Sequence, residues 1–183
     1  MSLPLDELTI IDRFLRPLAG EGALELLDDA ASLAPPAGCD LVLTTDAIAE
    51  GVHFLAGDPP ETVAKKALRV NLSDLAAKGA APLGYLLTLA LPAAIGEEWL
   101  TAFVAGLAAD QWEYGIALLG GDTIATPGSL TISVTAIGTL PEGGMVRRGG
   151  HHQVHQRLRA DGAEHSDDEA RLQRDDAERP ATL

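Results

Sequence analysis

Apolar residues recur at two different periods along this chain, and each change of period marks a new element. Leu5, Leu8, Ile11 and Leu15 fall at helical spacing, which predicts a helix over 5–16 ended by Pro17, Gly20 and Gly22. The short run Leu41, Val42 and Leu43 predicts a buried strand that ends in Thr44, Thr45 and Asp46. Ala64, Ala67, Leu68, Asn71, Leu75 and Ala76 mark one side of a second helix. Asp58, Pro59 and Glu61 are placed to start it, and Lys78, Gly79 and Pro82 to stop it. Leu83–Leu91 predicts a central strand closed by Pro92, and 97–114 a third helix with Leu100, Phe103, Val104 and Leu107 on one face and Gly115 at its end. Ile116–Leu119 predicts a short strand running into Gly120, Gly121, Asp122 and Thr123, and 130–140 alternates as a half-buried strand. This order predicts an α+β fold, with helices packed on one face of a mixed or antiparallel sheet.

Length and composition narrow the picture. At 183 residues and 46% hydrophobic, the chain supports one ordinary domain plus a tail. The tail begins at His151: the last 33 residues hold 13 charged residues and four of the five histidines, too few apolar groups for a core. Its HHQVH run has no acidic or cysteine partner at fixed spacing and reads as incidental. A net charge of -14 opposes phosphate-mediated nucleic-acid binding, and suits either a soluble surface or a collector of divalent cations. The longest apolar run, Leu86–Ala94, is broken by Pro92, so no membrane span is expected. The N-terminus lacks the basic start and continuous apolar core of a signal peptide. The single cysteine, Cys39, reads as a small core filler or surface thiol, and its solitude fits a cytoplasmic protein.

Several polar residues interrupt these apolar patterns. Asp28 and Asp29 stand side by side, either turned to water or neutralised by a divalent cation. Thr44, Thr45 and Asp46 supply hard oxygen donors of the kind magnesium prefers. His53 is the only histidine in the first 150 residues, a structural group or a ligand contact. Asn71 falls within the apolar stripe of its helix, and Asp74 lies a turn further on, either paired with Lys78 on a solvated rim or facing a polar ligand. Gly120 and Gly121 would let backbone approach a ligand or merely form a turn before Asp122. Trp99, Trp112 and Tyr114 read as core or interface aromatics. Asp28, Asp29, Asp46, Asp74 and Asp122 all fall at strand ends or on an adjoining helix face, which predicts one acidic cluster. No P-loop string is present, so metal ions would have to bind the phosphates.

The strings LLDDAASL, TTDAIAEGVHF, KKALRVNLSDLAAKGAAP and LLGGDT, in this order, resemble the N-terminal half of thiamine-monophosphate kinase over about residues 5–150. That family belongs to a superfamily that includes aminoimidazole ribonucleotide synthetase, selenophosphate synthetase and the hydrogenase maturation factor that dehydrates a carbamoyl group. The resemblance implies direct transfer of the ATP γ-phosphate to thiamine phosphate, without a covalent nucleophile. It implies Mg2+ held by Asp29, Thr44, Thr45, Asp46, Asp74 and Asp122, ATP beside Gly121 and Asp122 with Arg147 on its phosphates, and thiamine phosphate at His53. It also implies a homodimer in which two N-terminal domains pair their sheets into a barrel.

The chain departs from that pattern in two ways. Leu27 stands where the family has a glycine before the paired aspartates, which predicts a different turn there. The family continues after MVRRGG with a second α/β domain that is absent from this chain, so 151–183 reads as a disordered or frame-shifted tail and turnover is expected to be low. Rival readings are another member of the superfamily, or a non-catalytic dimerisation or metal-binding fragment.

Overall fold

Four strands, β1 (Cys39–Ala49), β2 (Ala81–Leu91), β3 (Ala117–Ala125) and β4 (Thr131–Pro141), build one mixed sheet in the order β1-β4-β2-β3. The structure is a computed structural model and describes residues 5–148. The chain divides into two units, residues 1–145 and 146–183; every element named here belongs to the first. The expectations for the charged tail and HHQVH lie outside the described residues.

β4 runs antiparallel to both β1 and β2, and β2 runs parallel to β3. A parallel pair needs a crossover of about a dozen residues or more, and α3 (Glu97–Tyr114) provides it. α2 (Pro60–Ala77) links β1 to β2.

Burial alternates along β4: Ile132, Val134, Ala136 and Leu140 are buried, whereas Thr131, Ser133, Thr135, Ile137 and Thr139 are half-buried. The buried row faces α2, since a side chain at Gly138 would press on Leu75 and Ala80. Leu41, Leu43, Leu86 and Ile124 register with the other row and are 38–63% exposed. The helices thus cover one face of the sheet, as the element order implies, and leave the other open.

α2 buries Val63, Ala64, Ala67, Leu68, Asn71, Leu72 and Leu75. Asn71 lies in the stripe as expected, but Ala76 is exposed. The start of α2 differs from the expected cap. Pro59 is the N-cap and Pro60 the first helical residue, while Asp58 Oδ2 accepts the Leu55 N–H at 2.8 Å and closes the preceding turn. With that carboxylate engaged upstream, no capping box forms with Glu61. The end is as read, with Lys78 at the C-cap and Gly79 at φ +76°. α2 and α3 approach closely at Gly106, where an added Cβ would stand 2.5 Å from the Glu61 carbonyl oxygen.

The N-terminal helix is not continuous. α1 (Glu7–Ile10) is capped by Asp6, which accepts the Thr9 N–H at 2.8 Å, a bond that lowers the Asp6 pKa. A π turn (Ile11–Leu15) and a 3-10 turn (Arg16–Leu18) follow. Pro17 has no N–H to continue the α ladder, which accounts for the changed winding. Ile10, Phe14, Leu15 and Leu18 still enter the core. The chain then pairs at Ala19 with Leu118, along the outer edge of β3.

Candidate functional site

Gly120, Gly121, Asp122 and Thr123 lie within β3, not beyond its end. Gly121 has φ +150°, and an added Cβ would fall 1.8 Å from the Leu87 carbonyl oxygen. Only glycine allows β3 to lie this close to β2, beside the register shift at Tyr85/Leu86. Asp122 pairs with Thr88 and, through it, with Ser133, which puts it on the face away from α2.

On that side is a cavity of about 630 Å³, whose walls include Asp28, Asp29, Gly121, Asp122, Thr88 and Thr135. Two acidic sites some ninety residues apart therefore converge, as the sequence implied. The Gly20 N–H donates to the Leu118 carbonyl at 2.8 Å and the Ser32 N–H to the Gly22 carbonyl at 2.9 Å, tying the N-terminal segment to β3 and to itself. Thr88 and Thr135 were not foreseen; Thr88 is the one aliphatic hydroxyl in the apolar string LGYLLTLAL.

The turn before the paired aspartates is unusual. Leu24, Glu25 and Leu26 have φ of 51°, 58° and 55°. Left-handed backbone costs a non-glycine residue about 1–2 kcal/mol, so the three together cost about 3–6 kcal/mol. Arg16 opposes this: its Nε donates to the Glu25 carbonyl at 3.0 Å while its guanidinium is anchored to Asp12 at 2.5 Å. Leu27, which replaces the family glycine, has φ −99°. The left-handed residues of this turn precede Leu27.

The remaining acidic residues lie elsewhere. Thr44, Thr45 and Asp46 occupy the middle of β1, which pairs with β4 from Cys39 to Ala49, so they do not end a strand. Alternation then separates them: Thr44 and Asp46 face α2, and Thr45 faces the open side. Thr44 Oγ1 donates to Asp74 Oδ2 at 3.0 Å, and no Asp74–Lys78 ion pair occurs among the described residues. Thr45 Oγ1 donates to the Val134 carbonyl at 3.2 Å and accepts from Thr135 Oγ1 at 3.1 Å, so it buttresses the cavity wall. The expected single cluster is thus two groups on opposite faces of the sheet. Among the described residues no three His, Cys, Asp or Glu side chains converge on one point.

Asn71 is buried. Its Nδ2 donates to the Ala67 carbonyl at 3.1 Å and its Oδ1 has no partner. His53 follows β1, exposed; its Nδ1 accepts the Ala49 N–H at 3.0 Å, which assigns the neutral ring's proton to Nε2, the free nitrogen. Lys66 Nζ donates to the His53 carbonyl and ties this turn to α2. Arg147 lies in the second unit and is exposed.

A partly buried ion pair between the two long helices went unforeseen. Arg69 donates Nε and a terminal nitrogen to Asp110 at 2.8 and 2.7 Å, joining α2 to α3, and these bonds hold the guanidinium above its ordinary pKa. Asp110 is fully buried, and its place three residues after Leu107 on the apolar face of α3 was the available signal. Of the aromatics, Trp99 stacks on Phe103 at 4.8 Å, Tyr114 lies under the Arg69 guanidinium, and Trp112 is 89% exposed. Cys39 is half-buried and free.

Residues 27–140 match the family described as AIR synthase related protein, N-terminal domain. Thiamine-monophosphate kinase of Caulobacter vibrioides is 48% identical over 149 residues, covering 80% of this chain and 42% of that protein. The crystal structure of thiamine-monophosphate kinase from Stenotrophomonas maltophilia K279a superposes with TM-score 0.66 at 43% identity, over 78% of this chain and 45% of that one. The structure of AaThiL complexed with AMPPCP and TMP matches with TM-score 0.57 at 32% identity, over 80% and 45%. The chain spans less than half the length of these relatives. With residues 27–140, more than half of the chain, inside the match and the fold shared with solved relatives, this chain belongs to the AIR synthase related family and carries its N-terminal domain.

Proposed function

We propose that this chain supplies the N-terminal part of a thiamine-monophosphate kinase site, where ATP phosphorylates thiamine phosphate to thiamine diphosphate. The observation that carries this reading is the cavity that brings Asp28 and Asp29 opposite Gly121 and Asp122. Support comes from the relatives: those above 40% identity are thiamine-monophosphate kinases, and AaThiL is complexed with AMPPCP and TMP. The same identities favour this family over other members of the superfamily.

The donor set fits magnesium. Mg2+ is commonly held by one or two carboxylates plus phosphate oxygens and waters, without an all-protein cage. Asp29 and Asp122 on the open side, and Asp46 and Asp74 with Thr44 on the helix side, offer such partial sets; Thr45 contributes through Thr135. Bound there, the ion would neutralise charge on the transferring phosphoryl group. The chain's own groups do the positioning. Gly121 brings the β3 backbone close to β2, and His53 presents Nε2–H as a donor for the thiamine phosphate.

The open sheet face, with Leu41, Leu43, Leu86 and Ile124 exposed, supports a homodimer that covers it. No helix among the described residues is long and apolar enough to cross a membrane, and a cytoplasmic location is part of this proposal. Calorimetric titration of AMPPCP with Mg2+ into the full chain should show binding that Asp122→Asn weakens at least tenfold. Undiminished binding in that variant would overturn the placement of the nucleotide.

A further inference from the structure

We propose that residues 20–33 form a two-state strap over the cavity, with Arg16 as its latch. The segment is pinned at few points: the Gly20 N–H on the Leu118 carbonyl, the Ser32 N–H on the Gly22 carbonyl, buried Ala23, and the Arg16 bond to the Glu25 carbonyl. Between these pins three consecutive non-glycine residues, Leu24, Glu25 and Leu26, are left-handed; Leu24 is 47% exposed and Glu25 is exposed, while Leu26 is half-buried against the core. Burial therefore does not offset the strain at Leu24 or Glu25. Left-handed residues persist only where their surroundings over-determine them, and here the packing of Leu26 on the core and the Arg16 bond to the Glu25 carbonyl supply that determination.

The closed strap is disfavoured a second way, because it brings Asp28 and Asp29 to the cavity that Asp122 also lines. Like charges facing one cavity repel, and a cation-bearing ligand reverses the sign. Such a ligand binds the closed form better than the open one, which is the condition for shifting the equilibrium. This coupling rests on the magnesium-nucleotide reading above, whereas the latch does not. Arg16 is a positioning residue: it reaches the cavity only through the Glu25 carbonyl.

Amide hydrogen exchange on the full chain tests the latch without ligand. The Leu27 and Ser32 amides report closure, since each donates across the strap, to the Leu24 and Gly22 carbonyls. Arg16→Ala should speed their exchange about tenfold, the effect of losing one hydrogen bond from a charged donor. Glu25→Asn keeps the carbonyl acceptor, tolerates left-handed backbone and should slow it. Unchanged exchange in Arg16→Ala, or faster exchange in Glu25→Asn, would overturn the latch. Mg2+ with AMPPCP should slow the same two amides. Binding seen by calorimetry with no slowing would overturn the coupling but leave the nucleotide reading intact. No binding at all would overturn that reading and the coupling together, and the latch would still stand or fall on the two variants.

Discussion

Removing one partner of the Arg69–Asp110 pair should have sharply unequal effects. Asp110 is fully buried and accepts two bonds from Arg69 at 2.8 and 2.7 Å, while the Arg69 side chain is 45% exposed. Arg69→Met would leave a buried carboxylate without its cation, a loss of about 3–5 kcal/mol. It would also remove the contact over the Tyr114 ring at 5.5 Å, worth about 0.5–1 kcal/mol at an exposed site. The Glu113 contact at 3.4 Å is exposed on both sides and adds little. Asp110→Asn leaves the guanidinium free to turn to water and should cost only about 1.5–3 kcal/mol, the worth of hydrogen bonds to a charged group. The double variant Arg69→Met with Asp110→Leu removes the stranded charge and should recover most of the loss. Urea unfolding followed by circular dichroism gives the free energies, and the melting temperature should fall by about 6–20 °C in Arg69→Met. A loss in Arg69→Met no larger than in Asp110→Asn would refute the assignment of Asp110 as the dehydrated partner. So would a double variant as unstable as the Arg69→Met single.

The other expectations are these. Gly121→Ala should separate β3 from β2, because a Cβ 1.8 Å from the Leu87 carbonyl oxygen cannot be accommodated; AMPPCP binding should fail, whereas Gly57→Ala, with open space around it, should leave binding unchanged. Asp74→Asn should leave the melting temperature nearly unchanged and weaken magnesium-dependent nucleotide binding; unchanged binding would make the Thr44–Asp74 bond purely structural. Burial raises the Tyr85 phenol above its ordinary 10.0, and the hydrogen bond from Gln111 offsets only part of this. Because the folded pKa is the higher one, this stability is complete below the unfolded value and is lost as pH rises through 10 toward the folded pKa. Melting temperatures of wild type and Tyr85→Phe should therefore diverge with alkaline pH, the variant losing less; parallel curves would refute it.

Central and edge strands differed in how far the sequence revealed them. β2 and β4 lie inside the sheet, and their expected spans of 83–91 and 130–140 nearly coincide with Ala81–Leu91 and Thr131–Pro141. β1 and β3 are the outer strands of the four, and each runs well beyond its apolar stretch. β1 is an outer strand with one open face, so Thr45 on that face and Asp46 on the other both sit in the ladder without being buried, and a polar run there carries no sign of a strand end. β3 continues through Gly120 and Gly121 because a glycine is needed beside Leu87, and in sequence that need looks like a turn. α2 was legible down to buried Asn71, since its stripe is set by local period. The meeting of Asp28 and Asp29 with Asp122 depends on Gly20 docking on Leu118, a contact across about a hundred residues with no local signature.

That difference in strand length changes what the acidic residues can do together. Read as strand ends, Asp46 and Asp122 belong to one cluster. Within their strands they lie on opposite faces, and β4 and β2 separate β1 from β3. Three strand spacings are about 14 Å, whereas a magnesium ligand must come within about 2.1 Å of the ion. No single ion in this arrangement reaches both carboxylates. On the magnesium reading proposed above, the helix-side pair, Asp74 and Asp46 near Thr44, and the cavity pair, Asp29 and Asp122, would therefore hold separate ions. Thr45, bonded to Thr135, belongs with the cavity although its sequence neighbours belong with α2. At such separation the effects of Asp74→Asn and Asp122→Asn on nucleotide binding should add in free energy, as they do for residues more than about 10 Å apart with no shared partner. A double variant much milder than that sum would mean that the two groups hold one ion and that the sheet rearranges to bring them together.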